Sequence, residues 1–207
     1  MELLETMRVE ADGTIPLLPR HLERLGRSAR FFGFSYDAGL PGAILEAASG
    51  QTEPVVLRLV LSKEGDFQLQ TKPLPEPGMP SRLVLAKLRV NSADPLLRHK
   101  TTARSVYDQA REGYDPATDV ILVNERGEIT EATIANIAVF RDGRWRTPPV
   151  ACGVLPGTMR AQLLDEGKIV EGVIHSDELV SAEGIRYFNA VRGISEVHFS
   201  EDHAWRP

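Results

Sequence analysis

The chain has 207 residues, 42% of them hydrophobic and 26% charged, enough to bury a core without disulfides or a structural metal. That length holds one domain or two small ones and excludes a large multidomain assembly. A formal net charge of -5 argues against nucleic acid or an anionic membrane as partner, because both require a cationic field.

The lone cysteine, Cys152, has no partner for an intrachain bridge, and the five histidines show no metal-ligand spacing. No run approaches the roughly 20 apolar residues of a membrane helix, and the N-terminus starts acidic where a secretory signal starts basic. These features predict a cytoplasmic protein whose chemistry uses no protein-bound zinc.

In chain order, Leu3 to Val9 reads as a strand, followed by a turn at Ala11-Asp12-Gly13 and a second short strand through Ile15. Pro19 suits a first helical turn; Leu22, Leu25, Ala29 and Phe32 then follow at helical spacing, and Gly33 ends the helix. A shorter helix is expected over Ala43 to Ala48. Val55, Leu57, Leu59 and Leu61 alternate toward a turn at Lys63 to Asp66, and Phe67 and Leu69 continue the alternation on a return strand. Four prolines between Pro73 and Pro80 exclude regular helix and predict an extended surface crossing. Leu83 to Val90 reads as a third strand of the same domain, which sets the expected division at 1–90, a linker at 91–97, and 98–207.

The second part opens with a helix from Thr102 to Arg111, then a strongly apolar strand at Val120 to Val123, a turn at Asn124 to Gly127, and a strand at Ile134 to Phe140. Asp142-Gly143 marks a turn before Trp145. A helix is expected from Gly157 to Leu164, with strands at Lys168 to Ile174, Tyr187 to Val191 and Glu196 to Phe199. This mixed order predicts an α/β (α+β) chain.

Three polar clusters carry possible chemistry. Lys100 stands among Arg98, His99, Thr101, Thr102 and Arg104; cationic neighbours can make a lysine a Schiff-base nucleophile, while the local sequence equally suits a solvated basic loop. Glu131 lies between two strand segments beside small residues, so it either faces a cavity or ends a strand at the surface, with Asn136 placed to brace the turn. Gly153 to Arg160 runs a glycine-bearing loop into a helix start. Such a loop offers backbone N–H groups to a phosphate, or is a plain strand-to-helix turn, since it matches neither the Walker loop nor the dinucleotide fingerprint.

Taken together, the sequence resembles the class IV aminotransferase family, the fold-type IV pyridoxal-phosphate enzymes. The resemblance is carried by Glu5-Thr6-Met7-Arg8, Arg20 to Leu25, His99-Lys100-Thr101-Thr102, Asn124 to Asn136, Gly153 to Arg160 and Asn189-Ala190-Val191-Arg192-Gly193, in the family's order and over nearly the whole chain. It implies two small α/β domains with pyridoxal 5'-phosphate in the interdomain crevice. Lys100 then matches the lysine that binds the cofactor and moves the substrate's α-proton, and Glu131 the carboxylate at the pyridine nitrogen. Arg24 matches the phosphate arginine, the N–H groups of Thr158 and Met159 with the Thr158 hydroxyl match the phosphate cup, and Asn189 and Ala190 a further phosphate-side position. The resemblance also implies a homodimer acting on a small amino substrate. Arg104 and Arg192 are candidates for its carboxylates only because cations near the site suit an anionic substrate, and each reads at least as well as a surface or structural arginine.

Three departures stand out. Relatives carry an additional stretch before the position of Glu5, so the entrance here is expected to be more open or completed by a second subunit. The tyrosine often found five residues after the lysine is Ser105, with Tyr107 two positions on. Met159 replaces a threonine common in branched-chain enzymes. The compact length, the His99 to Thr102 run and the Asn189 to Gly193 segment look most like the branch that eliminates pyruvate from 4-amino-4-deoxychorismate to give 4-aminobenzoate for folate synthesis. Amino transfer on branched-chain or D-amino acids is the alternative, and a non-catalytic binding relative a second.

Overall fold

The computed structural model describes residues 1–75, 80 and 82–200. The chain folds as two compact units, Met1–Glu76 with His99–Ala103, and Pro77–Arg98 with Arg104–Pro207.

In the first unit, β1 (Leu3–Val9) pairs antiparallel with β2 (Val55–Leu61), and β2 with β3 (Phe67–Pro73). Alternation sends Leu3, Met7 and Val9 inward with Leu57, Leu59 and Leu61. The helix α1 (Leu18–Phe32) adds Leu25 and Ala29 to this core, and α2 (Leu40–Ala48) adds Leu40, Ile44 and Ala48 at successive turns. Gly33 ends α1 in the left-handed region at φ 67°, where its N–H reaches Ala29 O. The expected strand through Ile15 does not form. Asp12 Oδ1 instead accepts the Thr14 N–H and hydroxyl, which closes a tight turn, and Ile15 leads directly toward α1.

The free edge of β1 is filled from far along the chain. Leu4 N–H donates to Lys100 O at 2.9 Å, Thr102 N–H donates to Glu2 O at 2.9 Å, and Thr101 bridges Leu3 antiparallel. The segment carrying Lys100 is thus bonded into the first unit as an added strand edge.

The second unit contains two sheets. One runs in the order β12 (His198–Phe199), β4 (Arg82–Val90), β5 (Thr118–Asn124), β6 (Ile129–Ala132), with β4 and β5 parallel and α3 (Ser105–Arg111) between them in sequence. The other runs β11 (Gly193–Glu196), β10 (Gly184–Asn189), β7 (Asn136–Arg141), β8 (Arg144–Thr147), β9 (Val170–Glu171). Leu83, Ile121, Ile129, Ile137, Val139, Ile185 and Tyr187 form one core, and Tyr107 and Ala110 of α3 pack on Val84, Ala86, Val120 and Leu122. The helix α4 (Thr158–Asp165) contributes Leu163 beside Phe188 and Ala138.

Further expectations change in the second unit. Strand β4 hydrogen-bonds to β5, so 82–90 belongs with the second unit and not with the N-terminal hairpin. The expected linker at 91–97 is a folded turn: Asn91 and Asp94 side chains accept the Ala93 and Leu96 N–H groups, and Leu97 is buried. The run from Ile134 to Phe140 starts at Asn136, because Thr133 to Ala135 turns a corner that exposes Ile134. Residues 76–79 and 81 of the proline-rich stretch lie outside the described residues.

Candidate functional site

In the first unit the strand period places Glu5 on the inward face of β1, between Leu3 and Met7, and the carboxylate is 1% exposed. A charge there requires partners. On α1, His21, Arg24 and Ser28 form a buried polar stripe beside the apolar one. Arg24 Nε donates to Glu5 Oε1 at 2.8 Å and Nη2 to Oε2 at 2.6 Å, while His21 Nδ1 lies 2.6 Å from Oε2. Burial pushes the Glu5 carboxyl up, but the Arg24 charge and the bonds from His21 and Arg24 outweigh it and hold it at about 2. Burial also lowers the His21 imidazole, assisted by the Arg24 and Lys100 charges and opposed by Glu5, so Nδ1–H is the donor to Glu5. Glu5 grips Nε and Nη2, and Nη1 is the Arg24 nitrogen outside that grip. His99, next to Lys100, stacks on Phe31 at 4.5 Å between centroids and meets Ser28 Oγ through Nδ1 at 2.9 Å. Lys100 is therefore fixed on both sides, by backbone pairing with β1 and by a packed histidine.

In the second unit, the corner between β6 and β7 brings Glu131 and Asn136 together. Glu131 is buried; its Oε1 accepts the Tyr107 hydroxyl at 2.9 Å and its Oε2 accepts Asn136 Nδ2 at 3.0 Å. The same Nδ2 donates to Leu155 O at 3.0 Å, tying the carboxylate to the loop that enters α4. At Gly157, which caps α4, a Cβ would stand 2.0 Å from Asn136 Oδ1, so only glycine permits this approach. Thr158 opens the helix in a buried position with Met159 next, and Ala161 N–H is the one that bonds back to Gly157 O.

A second set of bonds fixes the loop from its other end. Asn124 donates to Cys152 O at 3.1 Å and to Glu128 at 2.7 Å, and Arg126 joins Ser92, Glu125, Glu128 and Ala151 O. Cys152 is buried beside Glu128; burial first, then that carboxylate, pushes its thiol up to about 11, which makes it structural. Asp119 accepts the Tyr187 hydroxyl at 2.7 Å and the Thr133 hydroxyl, and so holds the β6–β7 corner.

Asn189 ends β10, and its side chain is spent on its own turn: Oδ1 accepts the Val191 and Arg192 N–H groups and Nδ2 donates to Ile134 O. Ala190 follows in that turn. Arg104 donates to Thr133 O at 2.5 Å and covers the Tyr107 ring at 4.6 Å, so it serves the Glu131 cluster. The structure thus groups Glu131 with the entry to α4 in one unit, and Lys100 with Arg24 in the other. Sequence reasoning missed Glu5, His21 and Tyr107 as members of these clusters; an acidic residue in the inward register of a strand was the available signal for Glu5.

Among the described residues no helix is long and apolar enough to cross a membrane, and no group of His, Cys, Asp and Glu is placed to hold a metal ion.

Residues 2–198 match the family model described as Amino-transferase class IV. A protein of Schizosaccharomyces pombe named "Putative aminodeoxychorismate lyase" is 36% identical over 194 residues, covering 88% of this chain and 84% of its own. A solved structure from Mesorhizobium loti, described as a "Putative amino-acid aminotransferase", superposes with a TM-score of 0.89 at 38% identity, over 96% of this chain and 99% of that one. The 4-amino-4-deoxychorismate lyase of Pseudomonas aeruginosa shares the fold, with a TM-score of 0.85 at 24% identity over 97% and 83% of the two chains. The motifs seen in the sequence, the buried carboxylate at the β6–β7 corner and these likenesses agree: the chain belongs to the class IV aminotransferase family of pyridoxal-phosphate-dependent enzymes.

Proposed function

We propose that the chain binds pyridoxal 5'-phosphate and eliminates pyruvate from 4-amino-4-deoxychorismate to give 4-aminobenzoate. The observation that carries the cofactor reading is Glu131, a buried carboxylate held at both oxygens by neutral donors and tied through Asn136 to the entry of α4. The residues present fit the group. Gly157 keeps the helix entry free of a side chain where Asn136 crowds it, and Arg24 has a guanidinium edge outside the grip of Glu5. The bound cofactor supplies a protonated ring that withdraws electrons from the substrate's α-carbon.

The protein's residues do the rest. Lys100 Nζ would hold the cofactor, and its amine would take the substrate's α-proton and return it to the departing pyruvate. Glu131 would be the partner of the ring nitrogen, favouring its protonated form. Arg24 Nη1, the Thr158 hydroxyl and the N–H groups of Thr158 and Met159 bind the phosphate. Ala190 offers backbone only, and Asn189 acts on the phosphate side by shaping its turn. Arg192 and Arg104, the latter bonded to Thr133 O and stacked on Tyr107, are the cations proposed for the substrate carboxylates. The active unit proposed is a homodimer in the cytoplasm, placed in folate synthesis by its product.

The lyase assignment is supported by the S. pombe relative, which matches over most of both chains. The M. loti neighbour, described as an amino-acid aminotransferase, supports the second reading, amino transfer, for which branched-chain or D-amino acids are the proposed substrates. One experiment separates them. The loaded enzyme is given aminodeoxychorismate, or an amino acid with 2-oxoglutarate. Pyruvate with 4-aminobenzoate supports elimination, and a new amino acid from the second mixture, with no pyruvate from the first, overturns it. Borohydride should trap the cofactor on Lys100, and Lys100→Ala should abolish that adduct.

A further inference from the structure

Tyr107 is unassigned by the functional reading, yet like Asn136 it hydrogen-bonds the Glu131 carboxylate. It projects from α3 into the core formed with β4 and β5, is 8% exposed, and donates its hydroxyl to Glu131 Oε1 at 2.9 Å. The Arg104 guanidinium lies over its ring at 4.6 Å and is itself anchored to Thr133 O. The phenol is thus held from three sides: by the α3 backbone, by a cation on its face and by the carboxylate at its tip.

The charged groups facing the phenol are Glu131 and Asp94, which oppose loss of its proton, and Arg104, which favours it. Burial and Glu131 prevail, so the hydroxyl stays a donor throughout the working pH range. Hydrogen bonds to the charged form of a carboxylate favour that form. With the phenol on Oε1 and the Asn136 carboxamide on Oε2, both oxygens of Glu131 are held in one orientation, and each of these bonds favours the charged form.

We propose that Tyr107 is a positioning residue that holds Glu131 as an oriented anion and thereby sets how firmly the cofactor's ring nitrogen keeps its proton. The inference rests on Glu131 being the ring-nitrogen partner. When the phenol is removed, Oε1 loses a donor in a buried site, Glu131 competes harder for the shared proton, and the ring is less fully protonated.

The test uses protein loaded with pyridoxal phosphate and compares wild type with Tyr107→Phe, Glu131→Gln and the double variant. The readouts are the pH midpoint of the cofactor's visible absorption, cofactor loss on dialysis, and borohydride trapping as a check that the lysine linkage persists. Tyr107→Phe should move the absorption midpoint by about half a pH unit or more, in the direction of Glu131→Gln, and weaken cofactor retention about threefold to tenfold. The double variant should match Glu131→Gln. Site-specific 3-fluorotyrosine at 107, a stronger donor of nearly the same shape, should move the midpoint the opposite way, and it supplies the answer if the phenylalanine variant does not fold. If Glu131→Gln shifts the midpoint while neither change at 107 does, the role of Tyr107 is overturned and the Glu131 assignment stands. If Glu131→Gln itself leaves the midpoint in place, Glu131 is not the ring partner and both fall.

Discussion

Replacing Glu5 by glutamine tests whether the buried ionic cluster, and not apolar packing alone, sets the stability of the first unit. The amide fills the same space but brings no charge to Arg24, whose Nε and Nη2 bonds of 2.8 and 2.6 Å lose their anion in a site where both residues are at most 5% exposed. Two independent routes give the size of the loss. Breaking a buried pair by removing one partner costs about 3–5 kcal/mol. Depression of the Glu5 carboxyl from 4.5 to about 2 corresponds to about 3 kcal/mol by linkage. Because the folded value is depressed, that contribution is complete above pH 4.5 and is lost as the pH falls toward 2. Urea unfolding of the cofactor-free protein at pH 7 should therefore show Glu5→Gln less stable by about 3 kcal/mol, with the gap narrowing below pH 4.5. Removing both charges with Glu5→Leu/Arg24→Leu should recover part of the loss. A gap under about 1 kcal/mol at pH 7 would refute the reasoning, because it would mean that water or another group compensates Arg24 in full.

The same cluster predicts acid sensitivity at a milder pH. The folded His21 is depressed below 6.5, so its neutral form favours the fold, and stability should decline as the pH drops below 6.5; His21→Gln should flatten that part of the stability profile. Gly157→Ala forces a methyl group toward Asn136 Oδ1, and should cost about 2–3 kcal/mol in unfolding and release cofactor on dialysis. Cys152, 1% exposed with its thiol raised to about 11, should resist iodoacetamide at pH 8 in the native protein and react once unfolded in urea.

Much of the architecture is written in local patterns. The helical spacing of Leu22, Leu25, Ala29 and Phe32, with Gly33 after them, reports α1 directly, because both the apolar stripe and its terminator are local signals. The residues of the cofactor reading were visible for a different reason: their order along the chain matches a family, although each cluster alone was ambiguous. What stayed hidden depends on partners distant in sequence. Glu5 sits in the inward register of β1, where its charge argues for exposure; only Arg24 and His21, brought over it by α1, reconcile the two. Strand β4 follows a hairpin in sequence, but its pairing is with β5, which lies beyond α3. The apolar run at Ile134 reads as continuous strand, and it is the Thr133 bond to Asp119 that turns the chain before Asn136. Tyr107 carried no signal of its own, since its partner lies 24 positions away.

The added strand edge at His99–Ala103 makes the first unit discontinuous in the chain. During synthesis the strands β1 to β3 and the helices α1 and α2 are made before Lys100, so the Leu4 N–H lacks the carbonyl that later receives it. An open strand edge is a template for wrong pairing. The lysine segment is therefore both the site of the proposed chemistry and a late-arriving closure. Truncating the chain ahead of it should leave a sticky N-terminal fragment, so protection from misassembly and acquisition of the reactive amine are completed by the same few residues.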